Sequence, residues 1–378
     1  MLKKLFYMAT SVWTTALMQP MLANASPIAT GGFATANGSI EPAVVVSSLN
    51  SLKSAFNQRK HHIIVSGLIY GGPKLTTLTF STLDWSNTTI EGAPGGKAAL
   101  ENIQLKFDGE LLEKNQQITN IVVKNINFFG NIIDLQKLPP QIFGSINNEG
   151  INYEGISLRR INNAWIDHCS FKDMSDDLMS ITLGSDNITV SYNHFYFSAN
   201  WLHMNPDPVW NWVGKNQDLA NERLALVVGA NPTDSYLYGA KALHVTLHHN
   251  WIGPLIKGRP LLRGWVHAYD NFFDNSDPPQ GTTYQGGRAQ QYNSMQIGSG
   301  GVVYSEMNYF YMTNNSNQIG LDPSRNSYQF YEKNNVYVQT TGRISFGQNF
   351  DNVSVNYAYQ LDPEENINNF IKNSAGPK

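Results

Sequence analysis

The feature that most constrains this chain is a short motif that keeps returning after residue 120: an apolar strand, then Asn or Cys, one further residue, then an aromatic or aliphatic side chain. It occurs at Asn127-Phe128-Phe129, Cys169-Ser170-Phe171, Asn193-His194-Phe195, Asn250-Trp251-Ile252, Asn271-Phe272-Phe273, Asn308-Tyr309-Phe310 and Asn335-Val336-Tyr337. The intervals are 42, 24, 57, 21, 37 and 27 residues. A shortest period in the twenties, carried by strands, points to a parallel β-solenoid in which the longer intervals hold loops on one face. Asn tolerates the left-handed turn that a corner needs, and stacked Asn side chains can hydrogen-bond from rung to rung. Cys169 suits the same slot as a small buried residue. The alternative is seven unrelated turns in an Asn-rich β-sandwich.

Composition supports strands and narrows the partners. With 378 residues, 41% of them apolar, the chain can bury a sizeable core. Only 15% of residues are charged, while Gly and aromatic residues recur in short bursts, which suits short strands and tight turns. Formal charge is −3 and no long basic run occurs, so a nucleic-acid partner is not expected.

Lys3 and Lys4 precede an uncharged stretch from Leu5 to Leu22, and Ala23-Asn24-Ala25 supplies a small-x-small cleavage pattern. Residues 1–25 therefore read as a signal peptide, leaving 26–378 as one secreted domain, extracellular or periplasmic, at −5. Thr10, Thr14, Thr15, Gln19 and Pro20 interrupt the stretch and argue against a retained anchor. A monomer without membrane attachment is expected after cleavage. Cys169 is the only cysteine, so no intramolecular disulfide is available. Ser47-Ser48 followed by Leu49, Leu52, Ala55 and Phe56 predicts a capped helix that covers the end of the sheet stack, with strands at 62–65 and 68–70 after it.

From Asn163 to Phe171 the chain reads N-A-W-I-D-H-C-S-F and resembles the pectate lyase superfamily, polysaccharide lyase family 1. The resemblance continues through 184–193, 245–250, Arg259-Pro260-Leu261-Leu262-Arg263 and 266–271, and the N-terminal helix followed by Ile63-Ile64-Val65-Ser66-Gly67 also resembles that family. It implies an all-β, right-handed parallel β-helix with a short N-terminal capping helix, which binds galacturonan in a groove on its side. Cleaving a uronan by β-elimination removes the C5 proton, expels O4 and leaves a C4=C5 double bond. That needs a base near C5 and a group that withdraws charge from the carboxylate. In the family the base is an arginine, and Ca²⁺ held by carboxylates bridges to the substrate.

The family's R-x-P-x-x-R element meets Gly258-Arg259-Pro260-Leu261-Leu262-Arg263 here, so a gapless match puts Gly258 at the base position. With one residue deleted beside Pro260, the resemblance makes Arg259 the base and Arg263 the partner of the substrate carboxylate. The positions of the Ca²⁺ ligands fall on Asn152, Glu154 and Asp176, with Ser180 in place of the last acid. Ca²⁺ wants six to eight oxygens and several charges, so this set makes at best a weak, water-rich site. Arg223 stands near the family's lysine, one residue out of register, and joins Lys257 as a substrate-binding candidate. The insertion between Asn200 and Glu222 carries Trp201, His203, Trp210 and Trp212; Trp201 could stack on a sugar, or the loop could fold back as an apolar cluster. Asp167 and His168, and likewise His248 and His249, read as structural. Strand neighbours point to opposite faces and cannot act on one atom.

The expected function is thus a secreted lyase cleaving pectic galacturonan, pectate or methylated pectin. The missing ligands suit a neutral ester, whereas the cluster of Lys257, Arg259, Arg263 and Arg223 suits free carboxylates. The rivals are an inactive solenoid that binds a pectic or other uronic-acid polysaccharide, and a polygalacturonase-like hydrolase, for which only the Asp176-Asp177 doublet speaks.

Overall fold

The computed structural model describes residues 30–137, 153–205, 209–212, 215–237, 242–276, 294–313, 318–319, 328–340, 353–363 and 366–378. The signal-peptide reading and Asn152 lie outside them.

The chain coils through three parallel sheets in a fixed cycle. Sheet 1 has ten strands, from Val44–Val46 to Gln329–Lys333; sheet 2 has nine, from Leu68–Tyr70 to Val336–Val338; sheet 3 has eight, from Thr76–Phe80 to Gln318–Ile319. One turn runs Ile161–Asp167, Ser170–Lys172, Asp177–Thr182, and the next begins at Asp186–Ser191, which pairs in parallel with Ile161–Asp167. This is a parallel β-helix. Its interior is stacked rung upon rung, because residues in register bring like side chains together. Phe128, Phe171 and Phe195 lie in near-parallel planes with centroids 5.2 and 4.9 Å apart, and Phe273, Phe310 and Tyr337 repeat the stack at 4.6 and 4.9 Å.

The asparagine ladder forms the corner between sheets 1 and 2. Oδ1 of Asn193 accepts the Cys169 amide at 2.8 Å, Oδ1 of Asn250 that of Asn193 at 3.0 Å, and Oδ1 of Asn271 that of Asn250 at 3.1 Å. Asn308 and Asn335 continue the series. The Nδ2 groups of Asn193, Asn250, Asn271 and Asn308 donate to main-chain oxygens inside the coil, so these amides are satisfied on both ends. Cys169 fills the same slot, fully buried. Two details differ from the sequence reading. Asn127 pairs with Ser170 and not with Cys169, so Ile126 occupies the ladder position on that rung. The left-handed residue is also the one before the ladder position: His168, Tyr192, His249, Asp270, Met307 and Asn334 have φ between 47° and 55°. The chain turns there, and the ladder amide ties the turn down.

The N-terminal helix Leu49–Asn57 is capped by Ser48, which exchanges bonds with Ser51, and buries Leu52 and Ala55. Two extended segments lie along the outside of sheet 1. Residues 30–41 run across successive rungs, with their amides taken by Thr246, Thr189, Asn163, Asn120 and Thr89. Residues 353–363 place Tyr357, Tyr359 and Asp362 against His267, Glu306 and His249. The helix Ile367–Ser374 buries Ile367 and Ile371 beside Phe272 on sheet 2. Along sheet 3 one row runs Lys106, Ser157, Ser180, Val227, Leu261 and Gln296, each in register with the next, and it is buried from Ser157 onward.

Candidate active site on the third sheet

The charged residues expected from the sequence gather at the start of these sheet 3 strands. Glu154 precedes Ile156–Arg159, Asp176 and Asp177 open Asp177–Thr182, and Arg259 precedes Leu261–Leu262. Strand register explains why. Asp177 pairs with Leu224, which bridges Gly258, while Ser180 pairs with Val227 and Val227 with Leu261. Both intervals are three residues, so the pairing runs without a gap, and Gly258 stands on the strand row while Arg259 stands off it. Arg259 leaves the row with φ 90°, and its Nε donates to Asp177 Oδ1 at 2.9 Å. A Cβ on Gly258 would meet nothing closer than the Gln296 side-chain amide at 3.3 Å, so the position has room for a side chain.

The acids are crowded. Ser180 Oγ donates to Glu154 Oε2 at 2.7 Å and shares a 2.9 Å bond with Ser157 Oγ; the Asp177 amide donates to Asp176 Oδ1 at 2.9 Å. Burial first, and the neighbouring carboxylates second, push Asp176 well above the usual carboxylate range. Burial raises Glu154 to about 7, opposed by the Ser180 hydroxyl and reinforced by Asp177. Burial also raises Asp177, against the pull of Arg259.

The four expected cations are all engaged. Lys257 pairs with Glu222 at 3.4 Å and Arg259 with Asp177. Arg263 is largely buried and donates to the carbonyls of Gly229 and Ala230 at 2.8 and 3.0 Å. Arg223 is fully buried and donates to Leu255 O at 2.8 Å and Ala220 O at 2.6 Å, where it fastens the turn. The expectation that Arg223 meets substrate is corrected by that burial. The same holds for Trp201, whose ring is fully buried with Nε1 donating to Glu222 O at 3.2 Å, so it offers no face to a sugar. At its described ends the insertion folds inward, with Trp201, Leu202, Met204, Leu219 and Ala220 in the main core, while the side chains of Trp210 and Trp212 lie outside the described residues. The sequence reading missed the role of Asp177 as the partner of Arg259; the Asp176-Asp177 doublet was the available signal.

Ca²⁺ tests poorly against these donors. One oxygen of each acid is already spent on Ser180, on a main-chain amide or on Arg259, and Arg259 supplies the positive charge the cluster needs. Among the described residues no three His, Cys, Asp or Glu side chains are arranged to hold an ion.

The fold is a parallel β-helix with a cluster of acids and an arginine gathered at the start of the sheet 3 strands. The family model described as pectate lyase matches residues 217–378. Pectate lyase 1 of Hesperocyparis arizonica is 30% identical over 167 residues, covering 43% of this chain and 34% of that protein. The pectate lyase of Bacillus subtilis (strain 168) is 25% identical over 210 residues, covering 50% and 41%. The match thus spans less than half the length of these curated relatives. Among solved structures, a pectate lyase from Bacillus sp. N165 in complex with trigalacturonate superposes with TM-score 0.60 at 17% identity, covering 92% of this chain and 98% of that one. Pectate lyase II from Xanthomonas campestris gives 0.61 at 18%, covering 93% and 98%. Over residues 217–378 the chain is thus similar in sequence to pectate lyases, and its described fold is the one those solved structures have.

Proposed function

We propose that this protein is a secreted polysaccharide lyase that cleaves pectic galacturonan by β-elimination at the start of the sheet 3 strands. The observation that carries the reading is the Glu154, Asp176, Asp177 and Arg259 cluster, set at the edge of a row of small and apolar residues in a chain similar to pectate lyases. The reaction moves the C5 proton to a base and the C4–O4 bonding pair to the leaving oxygen, which takes a proton from solvent.

The resemblance supports Arg259 as base. A guanidinium that donates to Asp177 supports a second role, stabilising the negative charge that grows on the uronate carboxyl as C5 loses its proton. Arg263, which the resemblance makes the partner of the substrate carboxylate, follows the strand Leu261–Leu262 and is bound to the Gly229 and Ala230 carbonyls. Lys257 and Arg259 are paired with carboxylates and Arg223 and Arg263 are held by main-chain carbonyls, which favours a neutral, methyl-esterified substrate over free pectate. Ca²⁺ has no step in this scheme.

Arg259→Lys and Arg259→Ala separate the two roles. If Arg259 acts by charge, lysine retains a substantial part of kcat and alanine loses about 100-fold or more. If Arg259 is the base, lysine shifts the pH–rate profile toward neutrality. Equal activity in all three proteins would overturn the assignment of Arg259.

A further inference from the structure

The two segments over sheet 1 meet at a pair of histidines read from the sequence as structural. His248 closes the strand His244–His248, and His249 leaves it in the left-handed region, φ 54°. That turn brings the rings together: His248 Nδ1 lies 2.8 Å from His249 Nδ1, so the opposite-face expectation fails here. At the outer ends of the pair, His248 Nε2 lies 2.8 Å from Thr30 O and His249 Nε2 lies 3.1 Å from Asp362 Oδ2. Thr30 belongs to the N-terminal segment and Asp362 to the C-terminal one. The segments also touch. Phe33 packs edge-on against Tyr357 with centroids 4.9 Å apart, and Thr246 Oγ1 accepts the Phe33 amide while bonding the Tyr357 hydroxyl.

Three hydrogen bonds link Thr30, His248, His249 and Asp362 in a row, and each needs one hydrogen. Two neutral imidazoles supply two. Thr30 O only accepts, so His248 Nε2 carries a hydrogen and, in a neutral ring, leaves Nδ1 bare. His249 Nδ1 then carries the second hydrogen, and His249 Nε2 turns a bare lone pair toward Asp362. An ionised Asp362 repels that lone pair. Reversing both tautomers satisfies Asp362 and instead sets a bare His248 Nε2 against Thr30 O. Asp270 does not supply the third hydrogen, because its Oδ2 stands 3.7 Å from His249 Nε2 and accepts the Asp362 amide.

We infer that docking both segments takes up one proton into the row of His248, His249 and Asp362, so that the segments form a single proton-gated latch over sheet 1. Burial lowers His248 and His249 to about 3 and 4 and raises Asp362, which places the proton on the Asp362 carboxyl, donating to His249 Nε2. Tyr269 stacks on His248 at 4.8 Å and Tyr192 on His249 at 4.7 Å; the other titratable groups facing the rings are Asp167 and His267 toward His248 and Asp270 toward His249. A carboxyl that binds its proton more tightly when docked contributes below about pH 4, and the contribution is lost as pH rises through the docked value.

Asp362→Asn tests the latch, since its amide donates to His249 Nε2 with no proton to lose, while the histidine and Asp270 titrations stay common to variant and parent. Hydrogen exchange on the full chain, corrected for intrinsic rates, reads opening over 33–39 and 353–363. The ratio of opening in the parent to opening in the variant is expected to grow about fivefold or more between about pH 4.5 and about pH 6.5, in both segments. A ratio that stays flat or falls would overturn the proton uptake, and growth confined to 353–363 would overturn the single latch. If the variant fails to fold, long-range ¹H–¹⁵N spectra of the parent with ¹⁵N-labelled histidine decide. Hydrogens are expected on His248 Nε2 and His249 Nδ1 at the lower pH, with both rings shifting together as pH rises; a bare His248 Nε2 at the lower pH, or rings that do not respond, would overturn the inference.

Discussion

At the scale of single residues, the ladder asparagines do more for the fold than their polarity suggests. Asn271 is fully buried and accepts from both the main-chain amide and Nδ2 of Asn250, while its own Nδ2 donates to Leu247 O and Asn308 Oδ1. Replacing it with alanine strands donors and acceptors on neighbouring rungs, at a cost of about 2 to 4 kcal/mol. Cys169→Asn works in the opposite sense: Sγ lies 3.8 Å from Val123 O, the carbonyl that an Nδ2 would reach there. That variant is expected to stay within about 1 kcal/mol of the parent. Urea midpoints measured for both variants check the pair; equal destabilisation would show that the ladder carries no special weight. The ladder was legible in the sequence because its side chains repeat. Arg223 and Trp201 were not, because nothing local tells a loop that folds inward from one that lines a groove. The opposite-face argument for Asp167 and His168 fails for a related reason, since His168 Nδ1 lies 2.7 Å from Asp167 Oδ2. Alternation holds only within a strand, and the strand ends between them.

At the scale of elements, the two segments over sheet 1 rest on a buried polar network. His248 Nε2 donates to Thr30 O and its Nδ1 shares a bond with His249 Nδ1, both at 2.8 Å, and His249 Nε2 lies 3.1 Å from Asp362 and 3.7 Å from Asp270. Asp270 holds the Asp362 amide at 2.9 Å. Burial raises Asp270 to about 8 and lowers His248 and His249 to about 3 and 4. The signs differ. The histidines charge more easily unfolded, so their contribution is present above about pH 6.5 and is lost as pH falls toward 4. Asp270 binds its proton more tightly folded, so its contribution is present below about pH 4 and is lost as pH rises through 8. Above pH 6.5 only the Asp270 slope remains of these three. Docking of residues 353–363 should therefore weaken by about 1 to 2 kcal/mol between pH 6.5 and 8. Hydrogen exchange of that segment, corrected for intrinsic rates, should show faster opening at pH 8, and Asp270→Asn should flatten the trend. An unchanged slope in the variant would place the titration elsewhere. The sequence announced the rungs beneath this network but not the segments across them, since an extended strap held by side-chain acceptors has no periodicity of its own.

At the scale of the whole molecule, the coil places two chemically different faces far apart in sequence but in register along one axis. Sheet 3 carries the acid and arginine cluster, and the corner of sheets 1 and 2 carries the asparagine ladder. The family blocks made the coil readable, because each lies on a rung. The site was readable only as a list of charged residues, since ion pairing between rungs decides which charges reach a ligand. Lys257 and Arg259 look like a cationic patch in the sequence and are half of two ion pairs in the structure. The consequence can be read in a single experiment: ultraviolet absorbance of the unsaturated product, from highly methylated pectin and from polygalacturonate, each with Ca²⁺ and with chelator. The account predicts absorbance on methylated pectin that survives chelator and is lost in Arg259→Ala. Activity confined to polygalacturonate and abolished by chelator would contradict the metal-free scheme, and no absorbance on either polymer, with binding intact, would contradict the lyase reading itself.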